Sequence, residues 1–138
     1  MGEYSGCFQQ AYADLGVNML TVDFRPSERP GGLHYQGDAR EILFARRWQL
    51  LIAHPTCRDV ARSGSNVWPE KVASGSHWWG LADILFWLCA PADAVIVEQP
   101  IGAFEKYYMA PTHSFHPYWF GVGAVSYTHL TLPTILLV

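Results

Sequence analysis

Cys57 closes the stretch Trp48-Gln49-Leu50-Leu51-Ile52-Ala53-His54-Pro55-Thr56-Cys57. A cysteine that can reach its thiolate form is a nucleophile able to add to an electron-poor carbon. The run 50–53 is too short and too apolar to alternate. It predicts a strand buried on both faces of a parallel sheet and ended by Pro55. In open α/β sheets ligands sit beyond the carboxyl ends of the strands, so this thiol falls where a substrate would lie. A second short apolar run, 94–97, leads into Glu98-Gln99-Pro100 and brings a carboxyl group and an amide to the same rim. A thiol and a carboxyl group converging from two strands offer a nucleophile and a proton donor for one substrate. Taken singly, each has a plainer reading as a packing thiol or a strand-end surface acid.

The elements that must position these groups alternate along the chain. The segment 7–16 carries apolar residues at helical spacing behind Ser5 as a cap and stops at Gly16. Residues 17–24 read as a buried strand finishing on Asp23, followed by the loop RPSERPGG. A short strand at 34–36 ends in Gly37-Asp38, and 39–46 reads as a helix. After the cysteine strand, 63–75 has little period. Residues 78–90 form a strongly apolar helix stopped by Pro91, with Trp78, Trp79, Phe86 and Trp87 expected in the core. Helices alternating with buried strands predict an α/β fold with a doubly wound, mostly parallel sheet.

Composition narrows the function classes. A chain of 138 residues that is 50% hydrophobic, with both signs of charge, suits one globular domain. Cys7, Cys57 and Cys89 show no CxxC spacing, which argues against a disulfide framework or zinc ribbon and suggests a reducing, cytoplasmic setting. The histidines at 34, 54, 77, 113 and 116 lack metal-type spacing, so no metal is expected. No apolar stretch approaches the roughly 18 residues of a membrane span, and no signal-peptide order opens the chain. A net charge of −3 is unfavourable for gripping a long phosphate backbone. Arg46, Arg47, Arg58 and Arg62 still offer a local basic rim around the cysteine loop.

Six blocks, EYSGCFQQAYADLG, TVDFRPSE, HYQGDAREIL, IAHPTCRDVARSG, VIVEQPIG and HPYWFG, resemble in content and order the DNA cytosine carbon-5 methyltransferase-like proteins of phages and prophages. That resemblance implies a Rossmann-like sheet, S-adenosylmethionine as cofactor, DNA with a flipped cytosine as substrate, and the cytoplasm of a bacterial host. It assigns catalysis to Cys57 and Glu98. It assigns the cofactor to Glu3, Ser5 and Gly6 in the first turn, Asp23 at the ribose, Asp38 at the adenine amino group, and His54 and Pro55. Arg58, Ser63, Gly64 and Gln99 would contact substrate, and 116–121 is a further candidate. The family pattern Pro-Cys-Gln-x-Phe-Ser-x-Ala-Gly is met with Thr56, Arg58 and Ala61 in place of its proline, glutamine and serine, and Gln99 replaces the usual asparagine. A nucleotide-level pyrimidine-modifying enzyme, an exocyclic-amino methyltransferase and a catalytically silent binding remnant remain alternatives. Residues 125–134, VSYTHLTLPT, resemble a translated sequencing adapter. The chain is therefore expected to divide into a partial catalytic domain, 1–124, lacking its first and C-terminal strands, and a tail, 125–138, foreign to the fold.

Overall fold

The computed structural model describes residues 4–114 and the backbone of the strand Pro133–Leu137. Glu3, the block 116–121 and all of 125–132 lie outside the described residues. The fold is mixed α/β with small parallel sheets, divided into two units, Met1–Arg47 and Trp48–Val138.

In the first unit, helix α1 spans Cys7–Asp14 and starts from Gly6, whose φ of 77° places it in the left-handed region that glycine tolerates. The cap thus falls one residue later than expected; the Ser5 hydroxyl accepts from the Cys7 amide at 3.2 Å. Gln9, buried on this helix, donates its amide to the Met19 carbonyl at 3.0 Å and to the Leu33 carbonyl at 2.6 Å. One buried side chain therefore ties α1 to the approaches of both strands that follow. Strand β1, Thr21–Asp23, pairs parallel with β2, His34–Gln36, with Asp23 opposite Gln36. The strand is shorter than the sequence suggests and ends on Asp23 as expected. Helix α2, Ala39–Leu43, is capped by Asp38, whose Oδ1 accepts from the Arg40 amide at 3.0 Å.

In the second unit, β3 (Trp48–Ala53) and β4 (Ala92–Pro100) run parallel, with Leu50 opposite Ala94 and Ala53 opposite Val97. The sheet continues through β6, Pro133–Leu137, which is antiparallel to β4, and then β5, His113–Ser114. The expectation that β3 is buried on both faces is corrected by its exposure: Ala53 is buried, whereas Leu50 is 38% exposed. Strand β4 has neighbours on both sides and buries alternate residues, Val95, Val97 and Gln99, on one face.

Between β3 and β4, where the sequence shows little period, the chain forms a 3-10 turn, Arg62–Val67, and helix α3, Trp68–Ala73. The overlooked signal is Pro69, which suits a first helical turn because its missing N–H has no partner there anyway. Gly75, at φ 82°, separates α3 from helix α4, Ser76–Leu88, which packs on β4. Leu81, Ile84 and Trp87 face inward, and His77 takes the same stripe one turn earlier. At about 100° per residue, Trp78 and Trp79 turn away from that stripe. Trp87 thus joins the core as expected, while Trp78 and Trp79 are 47% and 78% exposed, contrary to expectation. Among the described residues no helix is long and apolar enough to cross a membrane.

Ile84, with no exposed surface, carries the clearest consequence for stability. Ile84→Ala should lower the unfolding free energy by about 2–5 kcal/mol through lost burial and a residual cavity. Trp79→Gln should stay within about 0.5 kcal/mol. Urea titration of the two variants checks both.

Candidate active site

The parallel register determines which groups meet. Ala53 and Val97 are paired, so His54 and Glu98 each lie one residue beyond that pair, at the carboxyl ends of adjacent strands. His54 Nδ1 sits 3.3 Å from Glu98 Oε2, with both side chains about 30% exposed (30% and 29%). Alternation along β4 sends Gln99 to the opposite face, where it is 3% exposed. Its amide donates to the Pro55 carbonyl at 2.8 Å. Gln99, expected to contact substrate, instead fastens the start of the cysteine loop from behind. Its Oε1 is buried with no partner among the described residues.

The loop that follows is held at nearly every residue. The Cys57 carbonyl accepts from the amides of Val60 at 3.1 Å and Ala61 at 2.9 Å. The Arg58 carbonyl accepts from Lys71 Nζ at 2.5 Å, and the same ammonium pairs with Asp59 at 3.4 Å. The Asp59 carbonyl lies 2.9 Å from Nδ1 of His77, a ring only 1% exposed. A carbonyl can only accept, so Nδ1 carries the proton. Ala103 donates to the Val60 carbonyl at 2.8 Å, Arg62 donates to the Ile101 carbonyl at 2.9 Å, and Ala61 bridges Gly102. A side chain at 102 would bring a carbon within 2.1 Å of the Val60 oxygen, so only glycine permits this approach. The cysteine loop and the end of β4 are thereby zipped together.

Cys57 sits half-buried in this loop. Burial pushes its thiol pKa above the ordinary value, the nearby Glu98 carboxylate pushes it further, and a backbone hydrogen bond partly offsets both. Cys57 follows the end of β3 and Glu98 lies one residue past the Ala53–Val97 pair on β4, so the two expected catalytic groups share one end of the β3–β4 pair. His54 and Pro55, assigned to the cofactor by resemblance, serve this same place, His54 against the Glu98 carboxyl and Pro55 through its carbonyl to Gln99. Arg58 and Ser63 are exposed beside the loop. Gly64 lies within the 3-10 turn, where an added carbon would touch Lys71 Nζ at 3.4 Å.

The remaining cofactor candidates belong to the first unit. Asp23 stands at the carboxyl end of β1 with Oδ1 accepting from the Arg25 amide at 2.8 Å. Its second oxygen has no partner among the described residues and suits a ribose hydroxyl. Asp38 spends Oδ1 on capping α2 and sets Oδ2 3.8 Å from Arg40. The space left by the missing side chain of Gly6 is filled by Arg29, whose Cβ would be 2.6 Å from an added carbon. Asp23 is therefore the residue of this set with free capacity, while Gly6 and Asp38 do local structural work. Among the described residues no group of three or more His, Cys, Asp or Glu side chains is arranged to hold a metal ion. Searches of protein-family models, of curated proteins and of solved structures found no match to this chain.

Two predictions follow from the charge and from the zipper. Glu98→Gln removes a negative charge beside the sulfur and should speed iodoacetamide labelling of Cys57 at pH 8, shifting its pH profile to lower pH. The gain should stay under about tenfold, because burial is the larger cause and is unchanged. Mass-spectrometric rates on a Cys7→Ser/Cys89→Ser background read this out. Gly102→Ala should cost about 1–3 kcal/mol by forcing the loop off β4. It should also accelerate labelling of Cys57 relative to the parent.

Proposed function

We propose that this protein uses Cys57 to add to ring carbon 6 of a cytosine base in DNA, with S-adenosylmethionine as methyl donor and carbon 5 as acceptor. The observation that carries the reading is the parallel register of β3 and β4, which puts the loop bearing the half-buried Cys57 and the carboxyl group of Glu98 at one end of the strand pair. This is the arrangement that nucleophilic attack with acid assistance needs. The Rossmann-like identity of the fold belongs to this proposal as well, and rests on the six sequence blocks together with parallel pairing in both units.

The chemistry follows from the residues. Cys57 Sγ passes its proton to solvent water and bonds to carbon 6, while the Glu98 carboxylic acid donates to ring nitrogen 3 as negative charge builds there. His54 Nδ1, bonded to Glu98 Oε2, orients that carboxyl group as a positioning residue. The electron density gained at carbon 5 is what accepts a methyl group, and S-adenosylmethionine supplies that methyl when bound. Solvent water takes the carbon-5 proton, the sulfur leaves as thiolate, and ring nitrogen 3 returns its proton to Glu98, which restores the ring. Asp23 would hold the ribose of the cofactor, and Arg58 and Ser63 lie exposed beside the loop for substrate contacts.

The test is covalent trapping. A DNA oligonucleotide containing 5-fluorocytosine, incubated with the protein and S-adenosylmethionine, should give an adduct that survives denaturing electrophoresis. Fluorine cannot leave carbon 5 as a cation, so the sulfur stays attached. Cys57→Ala should abolish the adduct, and Glu98→Gln should slow its formation by about 10²–10⁴-fold, the usual worth of acid catalysis. Absence of any adduct, or its persistence in Cys57→Ala, overturns the reading.

A further inference from the structure

Past the thiol, the two chain segments that carry Cys57 and Glu98 continue into the walls of an open cleft of about 480 Å³. Arg62 and Ser65 line it on one side, five and eight residues beyond the cysteine. Ile101, Gly102, Glu105 and Lys106 line it on the other, and Trp68 adds an aromatic wall. The hydrogen bond from the Arg62 amide to the Ile101 carbonyl and the Ala61–Gly102 bridge fix the cleft's inner edge. Its position relative to the loop is therefore built into the backbone and does not depend on flexible side chains.

Two cationic residues and one hydroxyl-bearing residue line this space with a single acidic one. No ion pair engages Arg62 or Lys106 among the described residues, and the Lys106 ammonium rests 5.3 Å from the centre of the Tyr107 ring. In a chain of net charge −3, two cationic residues sharing one cleft form a local site that suits a compact anion. An arginine and a lysine lining one cleft suit a phosphoryl group, which takes paired hydrogen bonds from a planar guanidinium and a point charge from an ammonium. The volume lies within the usual range for small-ligand sites.

We propose that the Arg62–Lys106 cleft is a phosphate subsite that holds the phosphoryl group of the substrate whose base reaches Cys57. This rests on the functional reading above for the identity of that substrate, but the anion site itself does not require methyl transfer. The phosphoryl group has two possible sources, the monoester of a free nucleotide and the diester of a polynucleotide, and the cleft's chemistry is common to both.

The experiment measures binding without a methyl donor and without turnover, so it succeeds or fails independently of trapping at Cys57. Inorganic phosphate is titrated into the full chain and followed by calorimetry and by phosphorus NMR. Binding should be saturable and weaken about tenfold or more in Arg62→Gln/Lys106→Gln, both exposed positions whose change should leave the circular dichroism spectrum and Tm unaltered. Glu105→Gln should tighten binding a few-fold by removing the repelling carboxylate. Deoxycytidine monophosphate is then set against the dinucleoside TpC, which has only an internal phosphodiester. Displacement of phosphate by the first alone marks a nucleotide monoester site, and displacement by the second a polynucleotide site. No phosphate binding, binding unchanged in the double variant, or displacement by neither ligand overturns the proposal.

Discussion

Parallel pairing of β3 with β4 is the constraint on which the second unit depends. Two strands that run in the same direction keep a fixed register, so the residues one step past a paired position become neighbours without further instruction. His54 meets Glu98 for that reason. The loop after β3 must then rise, turn and return without leaving its own backbone groups unpaired. It does so by exchanging hydrogen bonds with the continuation of β4 at residues 60–62 and 101–103. Glycine at 102 is what lets the two backbones come that close.

The loop's anchors are drawn from three directions. Gln99 holds Pro55 from the sheet, Lys71 of α3 holds Arg58 and Asp59, and His77 of α4 holds the Asp59 carbonyl. Helix α4 is apolar enough to bury itself on β4, and that burial fixes His77 in place. The core and the position of the thiol are therefore one problem: packing of Leu81, Ile84 and Trp87 sets where the ring of His77 stands, and the ring sets where the loop runs. Preorganisation of this kind keeps a reactive group in one geometry before any ligand arrives.

Much of this was legible from residue order, and the limits have physical causes. Short apolar runs bounded by proline identified β3 and β4, and the rule that ligands gather at strand ends singled out Cys57 and Glu98. The partial exposure of β3 was not legible, because what covers a strand's faces depends on packing remote in sequence. Trp78 and Trp79 misled for a related reason: an all-apolar helix hides which stripe faces inward, and the stripe here begins with a histidine. The role of Gln99 was missed although alternation along a strand would have revealed it, since adjacent residues cannot share a face. His54 was legible in principle once β3 and β4 are aligned at Ala53 and Val97. The 3-10 turn and α3 carry almost no periodic signal, and Pro69 alone marks them.

The dipeptide Glu98-Gln99 divides labour across the thickness of a single strand. One side chain meets His54 on the neighbouring strand, while the next grips the framework behind. Sliding β4 by one position against β3 would exchange them, entombing a carboxylate among Val95 and Val97's present companions and leaving the amide to face His54. Stranding an ionisable acid in that apolar layer is expensive enough to forbid the slip. The pair thus acts as a built-in alignment mark, allowing the sheet to close in one way only.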